Sequence, residues 1–186
     1  MAFTAVFDAS VLEASATRNL LVQLAQMGIF RGRWTEKTIE ELERALAAQR
    51  PDLAGSLGPV RRQMLETVRD CTVTGYEDLI EAVKPPDLGR RHVIAAAIKC
   101  GAQVIVTGDP DRFPDSAMDQ YGIEAQSADQ FVLHLISLNV SVVLRAVQLR
   151  AIELTHPPMA ADEYLSALEN DGLVETVPEL RRHIHA

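Results

Sequence analysis

The stretch Val104-Ile105-Val106-Thr107-Gly108-Asp109-Pro110-Asp111 constrains the fold of this chain more than any other. Its apolar run is too short for a helix, follows Gly101, and passes directly into a Gly/Asp/Pro turn. It therefore reads as a buried parallel strand that carries acidic groups at its C-terminal end. A second stretch, Phe3 to Phe7, has the same character and stops at Asp8-Ala9-Ser10. Ligands and catalytic groups of open α/β sheets gather beyond the carboxyl ends of the strands. Two such strands could set Asp8 and Asp109 side by side.

The intervening sequence supplies the covering helices. Leu20, Leu21, Leu24 and Met27 recur at helical spacing over Ser15 to Gly28, with Gly28 as the stop. Arg31-Gly32-Arg33-Trp34 crosses back, and Thr35 is placed to cap a helix from Glu36 to about Gln49. On that helix Ile39, Leu42 and Leu46 mark the buried face. Glu41 flanks that face, whereas Glu40 points into solvent. Pro51 to Gly58 reads as a loop, Val60 to Asp70 as a helix, Cys71 to Thr74 as a short strand and Tyr76 to Val83 as a short helix. The Lys84-Pro85-Pro86-Asp87-Leu88-Gly89 segment breaks the chain. From about Arg90 to Cys100 a helix with an Ala95-Ala96-Ala97 run is set to pack closely on the Val104 strand, and Gly101 ends it. A further strand is expected over Gly122 to Ala125, then a helix capped at Ser127 and running through Leu138. Past about Ser141 three more helices follow, the first two separated by Pro157-Pro158. Strands alternating with helices in this order predict an α/β sandwich with a parallel sheet.

A length of 186 residues suits one domain with a helical tail, and 47% hydrophobic residues exclude disorder as the main state. The net charge of −8 argues against non-specific coating of nucleic acid. RNA or DNA would need a local basic patch, for which Arg31, Arg33, Arg90, Arg91 and Arg112 are candidates, although scattered surface arginines explain them too. Cys71 and Cys100 lack paired or metal-ligand spacing and read as reduced thiols of a cytoplasmic protein. The apolar segment Phe131 to Val147 carries His134, Asn139 and Arg145, which points to two soluble helices and no membrane partner.

Taken together, Phe7-Asp8-Ala9-Ser10-Val11-Leu12, Glu41-Leu42-Glu43-Arg44, Arg91-His92-Val93-Ile94-Ala95-Ala96-Ala97, and Val106-Thr107-Gly108-Asp109 through Phe113-Pro114 resemble the successive motifs of a PIN domain. The likeness is to the VapC-like toxin ribonucleases, in a longer branch with C-terminal helices. It implies a PIN-like α/β/α sandwich with a parallel sheet over residues 1–138, and a C-terminal helical extension over 139–186 packed on the same domain. It also implies a metal-dependent endoribonuclease, the toxin of a toxin–antitoxin pair, with an RNA substrate, a small antitoxin partner and room for a homodimer.

In that resemblance the acidic positions fall on Asp8, Glu41 and Asp109, which would bind Mg2+ or Mn2+, and Ser10 and Thr107 fall where small polar groups face the site. Hard divalent cations take oxygen ligands and can activate a water for attack on phosphorus. One acidic position is vacant, because Arg90 stands where an aspartate usually opens the helix. Arg112 replaces a second acidic residue before Phe113-Pro114. Asp87 and Asp111 lie close enough in sequence to compensate as metal ligands. Arg90, Arg91, His92 and Arg112 are the candidate RNA contacts. Each residue also has a plainer role available. Asp8 could cap the next turn, Asp109 could close an Asx turn before Pro110, Glu41 could be solvated like its neighbours Glu36 and Glu43, and His92 could make a local hydrogen bond. The alternative function is a PIN-like module that binds RNA or a protein without cutting.

Overall fold

A computed structural model describes residues 2–84, 87–153 and 159–184. Among them, four short strands form one parallel sheet in the order β2-β1-β3-β4: β1 Thr4–Phe7, β2 Arg31–Arg33, β3 Val104–Val106 and β4 Glu124–Gln126. The register sets Val6 between Arg33 and Ile105, and Phe7 beside Val106. Two further backbone hydrogen bonds extend the ladder past the strands, from Asp8 N–H to Val106 O (2.9 Å) and from Thr107 N–H to Gln126 O (3.0 Å). Asp8 and Thr107 therefore sit one residue beyond neighbouring strands, at the same edge of the sheet.

The two central strands, β1 and β3, are buried throughout because both faces are covered, whereas the edge strands β2 and β4 carry polar residues. Side chains alternate across the pleat, so Ala5, Phe7, Val104 and Val106 enter one core and Val6 and Ile105 enter the other. The first core is built with α1 (Ala9–Leu12), α2 (Ser15–Gln26), α3 (Glu36–Gln49) and α4 (Gly58–Glu66). Trp34 stacks on Phe7 at 5.6 Å and 12°, and its indole N–H donates to Met64 O at 2.9 Å, pinning α4 to the sheet. The second core receives α5 (Arg91–Cys100), whose Ala95, Ala96 and Ala97 are fully buried. Small side chains let α5 lie close against β1 and β3. Gly101, at φ 64°, ends α5 in the left-handed conformation that glycine adopts without penalty.

The remaining helices are α6 (Asp115–Met118), α7 (Ala128–Glu153), α8 (Ala161–Asn170) and α9 (Thr176–Ile184). By length and composition α7 would suffice to cross a bilayer, and 33% of its apolar 18-residue window is buried in the protein. As expected, the segment is two helices, which meet at a kink at Asn139 (φ −163°, ψ 88°), where the backbone leaves helical geometry. The Asn139 side chain accepts the Val142 N–H at 3.2 Å and so restarts the helix as an N-cap would. The C-terminal helices share the first core through Tyr164, Leu165, Leu168, Val177 and Leu180. Polar ties reinforce the packing. The Tyr164 hydroxyl donates to Ala16 O (2.8 Å), Asp171 accepts from Thr17 N–H (2.9 Å), and Asp129 accepts from Glu175 N–H (2.9 Å) and Thr176 N–H (2.8 Å) at the start of α9.

Several local expectations are corrected. Arg31–Arg33 is an edge strand rather than a plain crossing. The helix expected to Asp70 stops at Glu66, and Asp70 turns the chain at φ 55°. Cys71 to Thr74 makes only a bridge from Thr72 to Trp34, because the sheet edge is shared there by one residue. Tyr76 to Val83 holds a single 3-10 turn over Glu77–Leu79, and Pro51–Ser56 is likewise 3-10 rather than loop. The final strand lies at Glu124–Gln126, since Gly122 is spent on a left-handed turn at φ 62°. Pro85, Pro86, Pro157 and Pro158 lie outside the described residues.

Candidate active site

The centre is assembled at the C-terminal ends of β1 and β3. Asp8 is 1% exposed and takes the N-cap position of α1, yet it makes no side-chain cap there. Its carboxylate instead receives three donors. Oδ2 accepts the hydroxyls of Ser10 (2.5 Å) and Thr107 (2.9 Å), and Oδ1 accepts the Arg90 guanidinium (2.8 Å). Thr107 Oγ1 also accepts Asp109 N–H (3.2 Å), and Ser10 Oγ accepts Gly108 N–H (2.9 Å). The two strand ends approach so closely that a Cβ on Gly108 would stand 3.1 Å from Ser10 O. Only glycine fits without displacement.

Glu41 reaches the same centre from α3. The cap predicted at Thr35 is present, its Oγ1 accepting Thr38 N–H at 3.0 Å, and it fixes the phase of the helix. With Thr38, Ile39 and Leu42 buried, Glu41 is turned to the flank of the helix, where its Oε2 lies 3.3 Å from His92 Nε2 and 4.0 Å from Arg90. The His92 contact is ionic in distance but lacks the alignment of a good hydrogen bond, leaving both atoms without such a partner. Burial pushes the Glu41 carboxyl upward, but His92, then Arg90 and Lys37, outweigh it and hold the group below the usual carboxylate range. His92 is 2% exposed and stands behind the cleft.

The other candidates are placed differently. Asp109 is exposed and pairs with Arg112 at 3.3 Å, and Asp87 accepts Gly89 N–H at 2.8 Å and lies 3.6 Å from the same arginine. Asp111 is exposed on the 3-10 turn Pro110–Arg112, and Arg91 is half-buried with Nε unpartnered. Arg90 and Arg112 line a cleft of about 320 Å3 together with Ser10, Glu13, Glu41 and Arg44. Arg44 escaped sequence reasoning, although its place three residues after Glu41 on one helix was a readable signal. Arg31 and Arg33 line a separate cleft of about 380 Å3 beside Arg69.

A divalent ion at this centre would need carboxylate oxygens free to face it. Both oxygens of Asp8 are engaged, Arg90 lies between Asp8 and Glu41, and Asp109 is turned to Arg112. Among the described residues no group of three or more His, Cys, Asp or Glu side chains is arranged to hold a metal. The donor set as it stands does not fit Mg2+ or Mn2+.

A family model described as the VapC50 C-terminal domain matches residues 128–182. A protein of Mycobacterium tuberculosis (strain ATCC 25618 / H37Rv) described as "Putative ribonuclease VapC50" is 38% identical over 106 residues, which cover 56% of this chain and 59% of that protein. Over these matched parts the chain is similar to VapC50. The chain spans about three fifths of the curated relative it matches (59%). No solved structure matches it. The family model begins at the first residue of α7, ahead of the Asn139 break, so the VapC-like helical unit takes in the part of α7 that packs Phe131 against Phe30 at 5.0 Å.

Proposed function

We propose that this chain is a VapC-like endoribonuclease acting on RNA as the toxin of a toxin–antitoxin pair, and that its cleavage is weak while Arg90 holds Asp8. The observation that carries the reading is the buried Asp8 carboxylate at the end of β1, joined to the end of β3 by Thr107 and held by Arg90, which lines a cleft with Glu41, Arg44 and Arg112. An arginine-lined cleft beside strand-end carboxylates suits a phosphodiester, which guanidinium groups can bind and orient. The chemistry assigned to this chain's residues is limited to that. Arg44 and Arg112 attract and position the phosphate, Ser10 and Thr107 hold Asp8 in one rotamer, and His92 holds Glu41 in its charged form. Mg2+ or Mn2+ enters the reading only if Arg90 withdraws from Asp8. A small antitoxin, a cytoplasmic site of action and a homodimer belong to the same proposal.

The Arg90 pair favours a second reading, a module of the same fold that binds RNA or a partner protein without cutting. Induced expression in a bacterium, wild type against Asp8→Ala and Asp8→Asn, separates the two. Growth arrest and fragmented RNA in the wild type, lost in both variants, support the nuclease. Intact RNA and unimpeded growth at full expression of folded protein refute it.

A further inference from the structure

We propose that Arg90 is the resident cation of this centre, so that the wild-type chain excludes divalent metal and a single substitution restores a metal site. Arg90 closes the 3-10 turn Leu88–Arg90 immediately before α5, and its side chain reaches the end of β1 and the flank of α3 at Glu41. Its guanidinium nitrogen lies 2.8 Å from Asp8 Oδ1 and 4.0 Å from Glu41 Oε2, with the side chain 18% exposed. That is the position from which one positive charge serves both carboxylates. A guanidinium is permanently charged, planar and tethered, so it neither dissociates nor gives up its charge to a competing ion. The cation also explains why Asp8 tolerates near-complete burial, since an unpaired carboxylate there would be costly. The inference deepens the ribonuclease reading by assigning a control to the same site, but it depends on no RNA.

The test is a Mn2+ titration of the full chain by calorimetry, with the thermal midpoint followed in parallel. Wild type, Arg90→Gln, Arg90→Asp and Asp8→Asn/Arg90→Asp are compared, each checked for native circular dichroism. The expected result is no uptake below millimolar Mn2+ in the wild type, and affinity improved by roughly tenfold or more in Arg90→Asp, which replaces a cation by an oxygen ligand. The improvement disappears in the double variant. Micromolar uptake by the wild type overturns the proposal, as does a gain that survives loss of Asp8. If Arg90→Asp does not fold, Arg90→Gln decides alone: tighter Mn2+ binding than wild type supports the assignment, and unchanged binding overturns it. A chain that fails to cleave RNA yet shows this metal pattern refutes the nuclease and leaves the Arg90 assignment standing.

Discussion

Thr107 donates its hydroxyl to Asp8 Oδ2 at 2.9 Å across 99 residues of sequence, and Thr107 Oγ1 itself accepts Asp109 N–H at 3.2 Å. One small side chain therefore sets the rotamer of the buried carboxylate and the path of the loop that leaves β3. Thr107→Val keeps the shape and removes both roles. Urea unfolding is expected to show a loss of about 1–3 kcal/mol, the range for a buried hydrogen bond to a charged group. Unchanged stability would mean that Ser10 alone suffices to hold Asp8.

Gly108 is predicted to reject even alanine. The added methyl would meet Ser10 O at 3.1 Å, backbone that has little room to retreat. Gly108→Ala should cost about 1–3 kcal/mol, as overpacking does elsewhere, and should lower whatever activity the cleft supports. A crystal structure of the variant with β1 and β3 ends unmoved would contradict this.

The Glu41 carboxyl is held below its ordinary range in the folded chain, against the opposing effect of its own burial. A depressed folded-state value contributes stability that is present above the unfolded value of about 4.3 and fades as pH falls through the folded one. Wild type should therefore exceed Glu41→Gln in stability at neutral pH, and the two should converge below about pH 4. Paired denaturant melts across that range measure it. A gap that persists undiminished in acid would assign the difference to packing instead of charge.

Tyr164 ties α8 to α2 through its bond to Ala16 O at 2.8 Å. Burial pushes its hydroxyl well above the usual tyrosine range, so it stays protonated and remains a donor at every ordinary pH. Tyr164→Phe should lose about 1 kcal/mol, the net worth of one hydrogen bond, with a pH-independent deficit between about pH 6 and 9 by thermal melt.

Much of this was readable before any coordinates. The Val104 and Phe3 runs announced buried strands because both faces of a parallel sheet are covered, and the Thr35 cap and Gly101 stop fixed α3 and α5 by local hydrogen bonding. Glu41 was placed at the flank of its helix by periodicity alone. Sequence could not show where Arg90 would point, since that depends on a turn whose direction is set by Asp87 accepting Gly89 N–H. Nor could it show that Asp109 would turn outward to Arg112, because an exposed carboxylate chooses among partners by geometry. The errors between residues 66 and 83 share a cause. Around Cys71 and Val73 that stretch is held by two backbone bonds to Trp34, tertiary contacts that leave no periodic trace.

The bonds from Tyr164 to Ala16 and from Asp171 to Thr17 span 148 and 154 residues. During synthesis, α2 must wait for α8 before that side of its surface is covered, and loops of such length close late. The nascent chain thus carries β1, β3 and every candidate catalytic side chain for some time before the layer that braces them exists. A chain cut short within α7 would therefore keep the polar contacts of the centre but leave that face of α2 bare.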